Sequence, residues 1–204
     1  MRLIGMMDSP YVRRVAVSLK CLGVPFTHEP VSVFRHYDDF AAINPVVKAP
    51  TLVTDDGIVL MDSVLILEHI ERLVPVERRL TPADLADHAR AQRIIGLALA
   101  ACEKTVQMVY ETTLRPAEKH HQPWLDRVRG QLLAAYRLLE AELGADDAWL
   151  FGARPLQADL TAAVAWRFTG FALSDVVRAD THPALARLSQ RAEALREFIT
   201  SPLE

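Results

Sequence analysis

Apolar residues change their spacing once along the chain. Over residues 1–80 they form short runs broken by turn residues, and beyond Pro82 they recur in long stretches of helical period. Arg2–Met7 has the length of a buried strand. Ser9-Pro10 follows, pairing a good N-cap with a proline suited to a first helical turn. Val12, Val15, Ala16, Leu19 and Cys21-Leu22 then predict a helix, which Gly23 closes. Phe26–Val33 reads as a second strand, and Phe34–Ile43 suits a short helix. Ala49–Val53 is a third strand entered through Pro50. Asp55-Asp56-Gly57 turns the chain into a fourth strand, Ile58–Met61. Asp62-Ser63 caps a helix whose apolar face is assigned to Val64, Leu65, Leu67, Ile70 and Leu73, with Pro75 beyond it.

This order predicts a small α/β domain with a mixed four-stranded sheet. Its first two strands are parallel and its last two form a hairpin. The rest of the chain predicts helices alone: Asp84–Thr113, Pro123–Leu143, Asp159–Leu173 and one or two over His182–Thr200. Asp159–Leu173 is apolar on nearly all faces and is expected at the centre. The domain reading is residues 1–75, a linker at 76–83 and an all-α domain at 84–204.

Composition narrows the function. The 204 residues carry 23 Lys plus Arg and 26 Asp plus Glu, a net charge of −3, and the first 80 residues hold 9 basic and 10 acidic side chains. Neither half is a basic platform, so a nucleic-acid partner is not expected. No polybasic anchor or span-length apolar run suggests a membrane. Cys21 and Cys102 form no C-x-x-C pair, which suits a reducing, cytoplasmic setting. His120-His121 lack metal-ligand spacing, and no metal is expected.

Three motifs stand out in the first domain: Ser9-Pro10-Tyr11-x-x-Arg14, Asn44-Pro45-x-x-Lys48-Ala49-Pro50, and Asp62-Ser63 before a helix. Taken locally, each has an ordinary reading. Ser9 can be a helix cap, Pro50 an edge-strand proline, Asp62-Ser63 an N-cap pair and Lys48 a solvated loop lysine. In this order, followed by an all-helical domain, they resemble the cytosolic glutathione S-transferases. The serine-type opening is similar to the plant tau class and related bacterial proteins. The first domain is accordingly similar to thioredoxin folds.

The resemblance implies a set of roles. Ser9 would stabilise the glutathione thiolate, aided by the helix N-terminus, with Tyr11 as a weaker alternative donor. Pro50 would be cis, and the Ala49 backbone would pair with the cysteinyl part of glutathione. Ser63 would bind the γ-glutamyl carboxylate and Asp62 its ammonium. Lys48 would approach the glycyl carboxylate, with Arg35 and His36 as further candidates. A pocket for a small hydrophobic electrophile would draw on Met7, Tyr11, Met108, Tyr110 and Trp166, each of which can equally be core. Asp159 would belong to a folding box at the start of the central helix, although its partner position is Leu156. Gln157 or water is expected to compensate. The family dimerises, which points to Leu65, Glu68, His69, Arg72 and Arg90–Ile94 as homodimer contacts. The expected function is conjugation of glutathione, as co-substrate, to a hydrophobic electrophile. The alternatives are a non-catalytic binding protein and another glutathione-dependent reaction, such as isomerisation, peroxide reduction or dehalogenation.

Overall fold

A computed structural model describes residues 1–144 and 148–203. The chain divides into two compact units, Met1–Leu80 with Ala194–Glu204, and Thr81–Glu193. The second unit thus begins near the expected linker. The expected 84–204 domain differs at its far end, where the last residues pack with the first unit.

The first unit holds β1 (Arg2–Ile4), α1 (Pro10–Leu22), β2 (Thr27–Glu29), α2 (Tyr37–Ile43), β3 (Thr51–Val53), β4 (Val59–Met61) and α3 (Ser63–Glu71). The four strands lie in the order β2-β1-β3-β4. β1 is parallel to β2 and antiparallel to β3, and β3–β4 is the antiparallel hairpin. This is a thioredoxin-like sheet. The strands are shorter than the apolar runs that predicted them. β1 stops because Gly5 turns the chain with φ 135°, and β2 stops at Pro30, which has no N–H to add to a ladder.

Local chemistry fixes the helix ends. Ser9 caps α1, and Gly23 takes the left-handed conformation (φ 65°) after it, its N–H donating to the Leu19 and Lys20 carbonyls. α1 packs Val12, Val15, Ala16 and Leu19 beside Leu3, Ile4, Leu52, Ile66 and Ile70 in one core. Each of these valines, leucines and isoleucines contributes roughly 1.5–3 kcal/mol by leaving water. The apolar face of α3 differs from the expected one. Ser63, Ile66, Leu67 and Ile70 are buried, while Val64, Leu65 and Leu73 are exposed. A helix apolar on two sides can bury only the stripe that meets its neighbour, here positions i, i+3, i+4 and i+7.

The chain returns to this unit through α8 (Arg196–Ile199), which packs on α1. The buried Arg13 guanidinium lies over the Phe198 ring, 5.3 Å from its centroid, and its Nε donates to the Ser201 carbonyl at 2.8 Å. Lys20 donates to Thr200 Oγ1 at 3.0 Å and Ser201 Oγ at 2.8 Å.

The second unit contains α4 (Leu85–Thr113), α5 (Gln122–Glu142), α6 (Gln157–Ala172) and α7 (Pro183–Glu193). α6 is buried along most of its length and packs on α4 and α7, as its all-round apolar sequence predicts. A polar chain crosses this core: Tyr136 Oη donates to Ala165 O (2.9 Å) and lies 2.6 Å from Thr169 Oγ1, which in turn lies 2.7 Å from Thr105 Oγ1. Burial holds the Tyr136 phenol well above its ordinary pKa. Asp159 sits in the first turn of α6 and accepts from the Leu156 and Leu150 amides, both at 2.9 Å. Only this half of a reciprocal cap exists, because a leucine side chain cannot accept in return. The Gln157 side-chain amide donates to Thr161 Oγ1 at 3.2 Å. No described helix is long and apolar enough to cross a membrane.

Candidate functional site

Three segments of the first unit carry the motif residues: the start of α1, the loop 44–50 and the start of α3. Gly5 is what lets the first two approach. A Cβ there would lie 2.6 Å from Val12 Cγ2 and 3.2 Å from the Ala49 methyl, at a φ that L side chains rarely adopt. The Gly5 carbonyl also lies 2.7 Å from His28 Nε2.

Ser9 Oγ accepts from the Val12 amide at a long 3.4 Å. An accepting hydroxyl keeps its own proton free to donate, so Ser9 presents an O–H beside the positive end of α1. Asp8 precedes it. Burial pushes the Asp8 carboxyl above its usual range, against the opposing pull of Arg35 and the Ser9 amide. His36 Nδ1 accepts from the Ser32 amide at 3.2 Å.

The loop 44–50 is held by Asn44. Its side chain donates to Thr51 Oγ1 (2.8 Å) and accepts from the Val46 amide (3.1 Å), while Thr51 Oγ1 donates to the Lys48 carbonyl (2.8 Å). These bonds pin both sides of Ala49-Pro50, whose peptide is cis. They also hold Val47 at φ 51°, a left-handed conformation that is strained for a β-branched residue.

At α3, Asp62 has φ 73° and caps the helix, Oδ1 accepting from Val64 N at 2.9 Å. Its Oδ2 lies 3.3 Å from Lys48 Nζ. Burial raises the Asp62 carboxyl, but the Val64 amide, Lys48 and Arg14 together outweigh it and hold the pKa below the ordinary value. Ser63 is buried and accepts from Arg14 Nη1 at 3.0 Å. Lys48, Asp62, Ser63 and Arg14 therefore form one linked cluster. The sequence alone assigns no role to Arg14, because its partner Ser63 lies 49 residues away.

Of the pocket candidates in the first unit, Met7 is buried and Tyr11 half-buried. In the second unit, Met108 is buried and Tyr110 exposed. Two positions apart on α4, they face different ways. Trp166 packs edge-on against Tyr136, with centroids 5.5 Å apart, and lies 5.6 Å from His182.

A thioredoxin-like unit joined to a helical one, with an anion-suited helix start beside a cis-proline loop, defines a class, and comparison with known proteins gives the family. Residues 3–79 match the model of the glutathione S-transferase N-terminal domain, and residues 122–199 that of the C-terminal domain. The chain is 31% identical to the uncharacterised GST-like protein YibF of Escherichia coli K12 over 70% of each chain. It is 29% identical to maleylacetoacetate isomerase of Pseudomonas aeruginosa over 74% of this chain and 72% of that one. A glutathione S-transferase of Methylobacterium radiotolerans, crystallised with glutathione sulfonate, superposes with a TM-score of 0.88 at 30% identity, covering 98% of this chain and 93% of that one. The chain belongs to the glutathione S-transferase family.

Proposed function

We propose that the protein conjugates glutathione to small hydrophobic electrophiles. The observation that carries this is the Ser9 hydroxyl at the N-terminus of α1, accepting from Val12 N and so able to donate to an incoming sulfur. A free thiol has a pKa near ~8.5. An O–H donor and a helix N-terminus both favour the thiolate. The thiolate sulfur attacks the electrophilic carbon, a C–S bond forms, and the leaving group departs with the electron pair of the broken bond. The thiol proton passes to solvent. Thiol–disulfide exchange is disfavoured, because a serine at position 9 cannot form a mixed disulfide.

The remaining roles follow the motif positions. The Ala49 backbone pairs with the cysteinyl part, and the cis Pro50 shapes that edge. Asp62 accepts from the γ-glutamyl ammonium and Ser63 donates to its carboxylate. Lys48 exchanges Asp62 for the glycyl carboxylate when glutathione binds. Met7 and Tyr11 line the apolar approach to the sulfur. We also propose a cytoplasmic homodimer, supported by the exposed Val64 and Leu65 on α3, the latter 60% exposed. Ile94 is buried within its own unit and does not serve that contact.

Isomerisation is the second reading, favoured by the similarity to the Pseudomonas isomerase. Retention on immobilised glutathione tests the pocket. Turnover of 1-chloro-2,4-dinitrobenzene, reduced about 100-fold or more by Ser9→Ala, supports conjugation. Glutathione-dependent cis–trans isomerisation of maleylacetoacetate, with no turnover of the chloroarene, would favour the second reading instead. Unchanged chloroarene turnover in Ser9→Ala would sink the assignment of Ser9.

A further inference from the structure

Arg14 is 2% exposed, and its Nη1 donates to Ser63 Oγ at 3.0 Å, across from α1 to the first residue of α3. Burying a guanidinium is costly, and an apolar side chain of similar volume would fill the space more cheaply. The polarity of the contact shows what the arginine does. A guanidinium has only donors, whereas a hydroxyl has one proton and two lone pairs. Ser63 must therefore act as acceptor toward Arg14, which leaves its single proton for another acceptor. The first-turn amides of a helix also lack intrahelical acceptors. With the serine proton left to donate, the start of α3 offers a set of donors backed by a permanent cation, and Asp62 beside it already feels that charge. A neutral acceptor in place of Arg14 would instead draw the serine proton inward.

We propose that Arg14 is a positioning residue: it fixes the Ser63 hydroxyl as an outward donor and so makes this end of the site selective for a carboxylate. This rests on the reading that the γ-glutamyl carboxylate of glutathione binds at Ser63. Arg14 acts through Ser63 and does not touch the reacting sulfur.

The test is calorimetric binding of glutathione and of its analogue lacking the γ-glutamyl α-carboxylate, 4-aminobutyryl-Cys-Gly. The proteins are wild type, Arg14→Met, Arg14→Lys and Ser63→Ala, each checked by thermal melting. Wild type should prefer glutathione by about tenfold or more, the worth of one charge-assisted hydrogen bond. Arg14→Met should lose most of that preference while binding the analogue within about threefold of wild type. Arg14→Lys should regain part of it, and Ser63→Ala should match Arg14→Met. Equal weakening toward both ligands, or an Arg14→Met protein with the wild-type preference, overturns the proposal. If Arg14→Met does not fold, Arg14→Lys and Ser63→Ala decide, and full preference in Ser63→Ala overturns it. Wild type binding neither ligand would remove the glutathione reading itself and this proposal with it, an outcome distinct from selective loss in the variants.

Discussion

Lys48 and Asp62, fourteen residues apart, form an ion pair of 3.3 Å at the start of α3. The two side chains are 51% and 43% exposed, so the pair adds less than about 1 kcal/mol to stability. On the proposed reading of the site, its weight falls on glutathione binding. Lys48→Met should leave the melting temperature nearly unchanged and raise the KM for glutathione several-fold. It also relieves part of the pull on the Asp62 carboxyl. A carboxylate with a lowered folded pKa stabilises the protein above its unfolded value of ~3.9, and that contribution is lost as pH falls through the folded pKa. Acid unfolding of Lys48→Met should therefore begin at a slightly higher pH.

Asp8 precedes Ser9, beside which the sulfur anion is proposed to form, and its carboxylate interacts with the Ser9 amide. Asp8→Asn should move the pH midpoint of kcat/KM downward by a few tenths of a unit. Ser9→Ala should move it upward, toward the free-thiol value of ~8.5. Midpoints that coincide in all three proteins would place thiol activation elsewhere.

Val47 offers a stabilising change. Its left-handed backbone is enforced by the turn at Asn44, where the Val47 amide donates to the Asn44 carbonyl at 2.8 Å. Asparagine tolerates this conformation far better. Val47→Asn should raise stability by about 1 kcal/mol in urea unfolding.

Asp159 is a structural group with its own pH signature. Burial raises its carboxyl, and the Leu150 and Leu156 amides only partly offset that. An acid whose folded pKa is raised contributes most below its unfolded value and loses ground as pH rises through the folded one. Asp159→Asn should flatten this part of the stability curve. It should also cost about 1–3 kcal/mol, because an NH2 group then faces a buried amide donor.

Phe198 and Ile199 make a matched pair. Phe198 is fully buried beneath Arg13, while Ile199 is 63% exposed. Phe198→Ala should cost about 3–5 kcal/mol by thermal or urea unfolding. Ile199→Ala should stay within about 0.5 kcal/mol.

What could be read from the residues alone was what depends on near neighbours. Ser9 and Gly23 bracket α1 because caps are local chemistry, and Asp55-Asp56-Gly57 turns the hairpin for the same reason. Pro30 ends β2 at Glu29, inside an apolar pattern that continues to Val33. The buried stripe of α3 could not be read, since a helix apolar on two sides does not say which side meets a neighbour. Leu85, the first residue of α4, is likewise 80% exposed although apolar. Arg14, Arg13 and Lys20 were opaque because their partners, Ser63 and residues 200–201, are fixed only by the fold. The Lys48–Asp62 pair was hidden as well, since both residues had been given to a ligand rather than to each other.

The Arg13–Ser201 contact makes the first unit discontinuous in the chain, with all of Thr81–Glu193 inserted between its two pieces. As synthesis proceeds, β1 to α3 emerge first but lack the ring and carbonyl that receive the Arg13 guanidinium. Folding from the N-terminus, the usual order for joined domains, cannot finish here until the inserted helices have been made. A nascent chain arrested before Phe198 should thus expose the back of α1, and chaperones or proteases acting during translation would meet the protein at that surface.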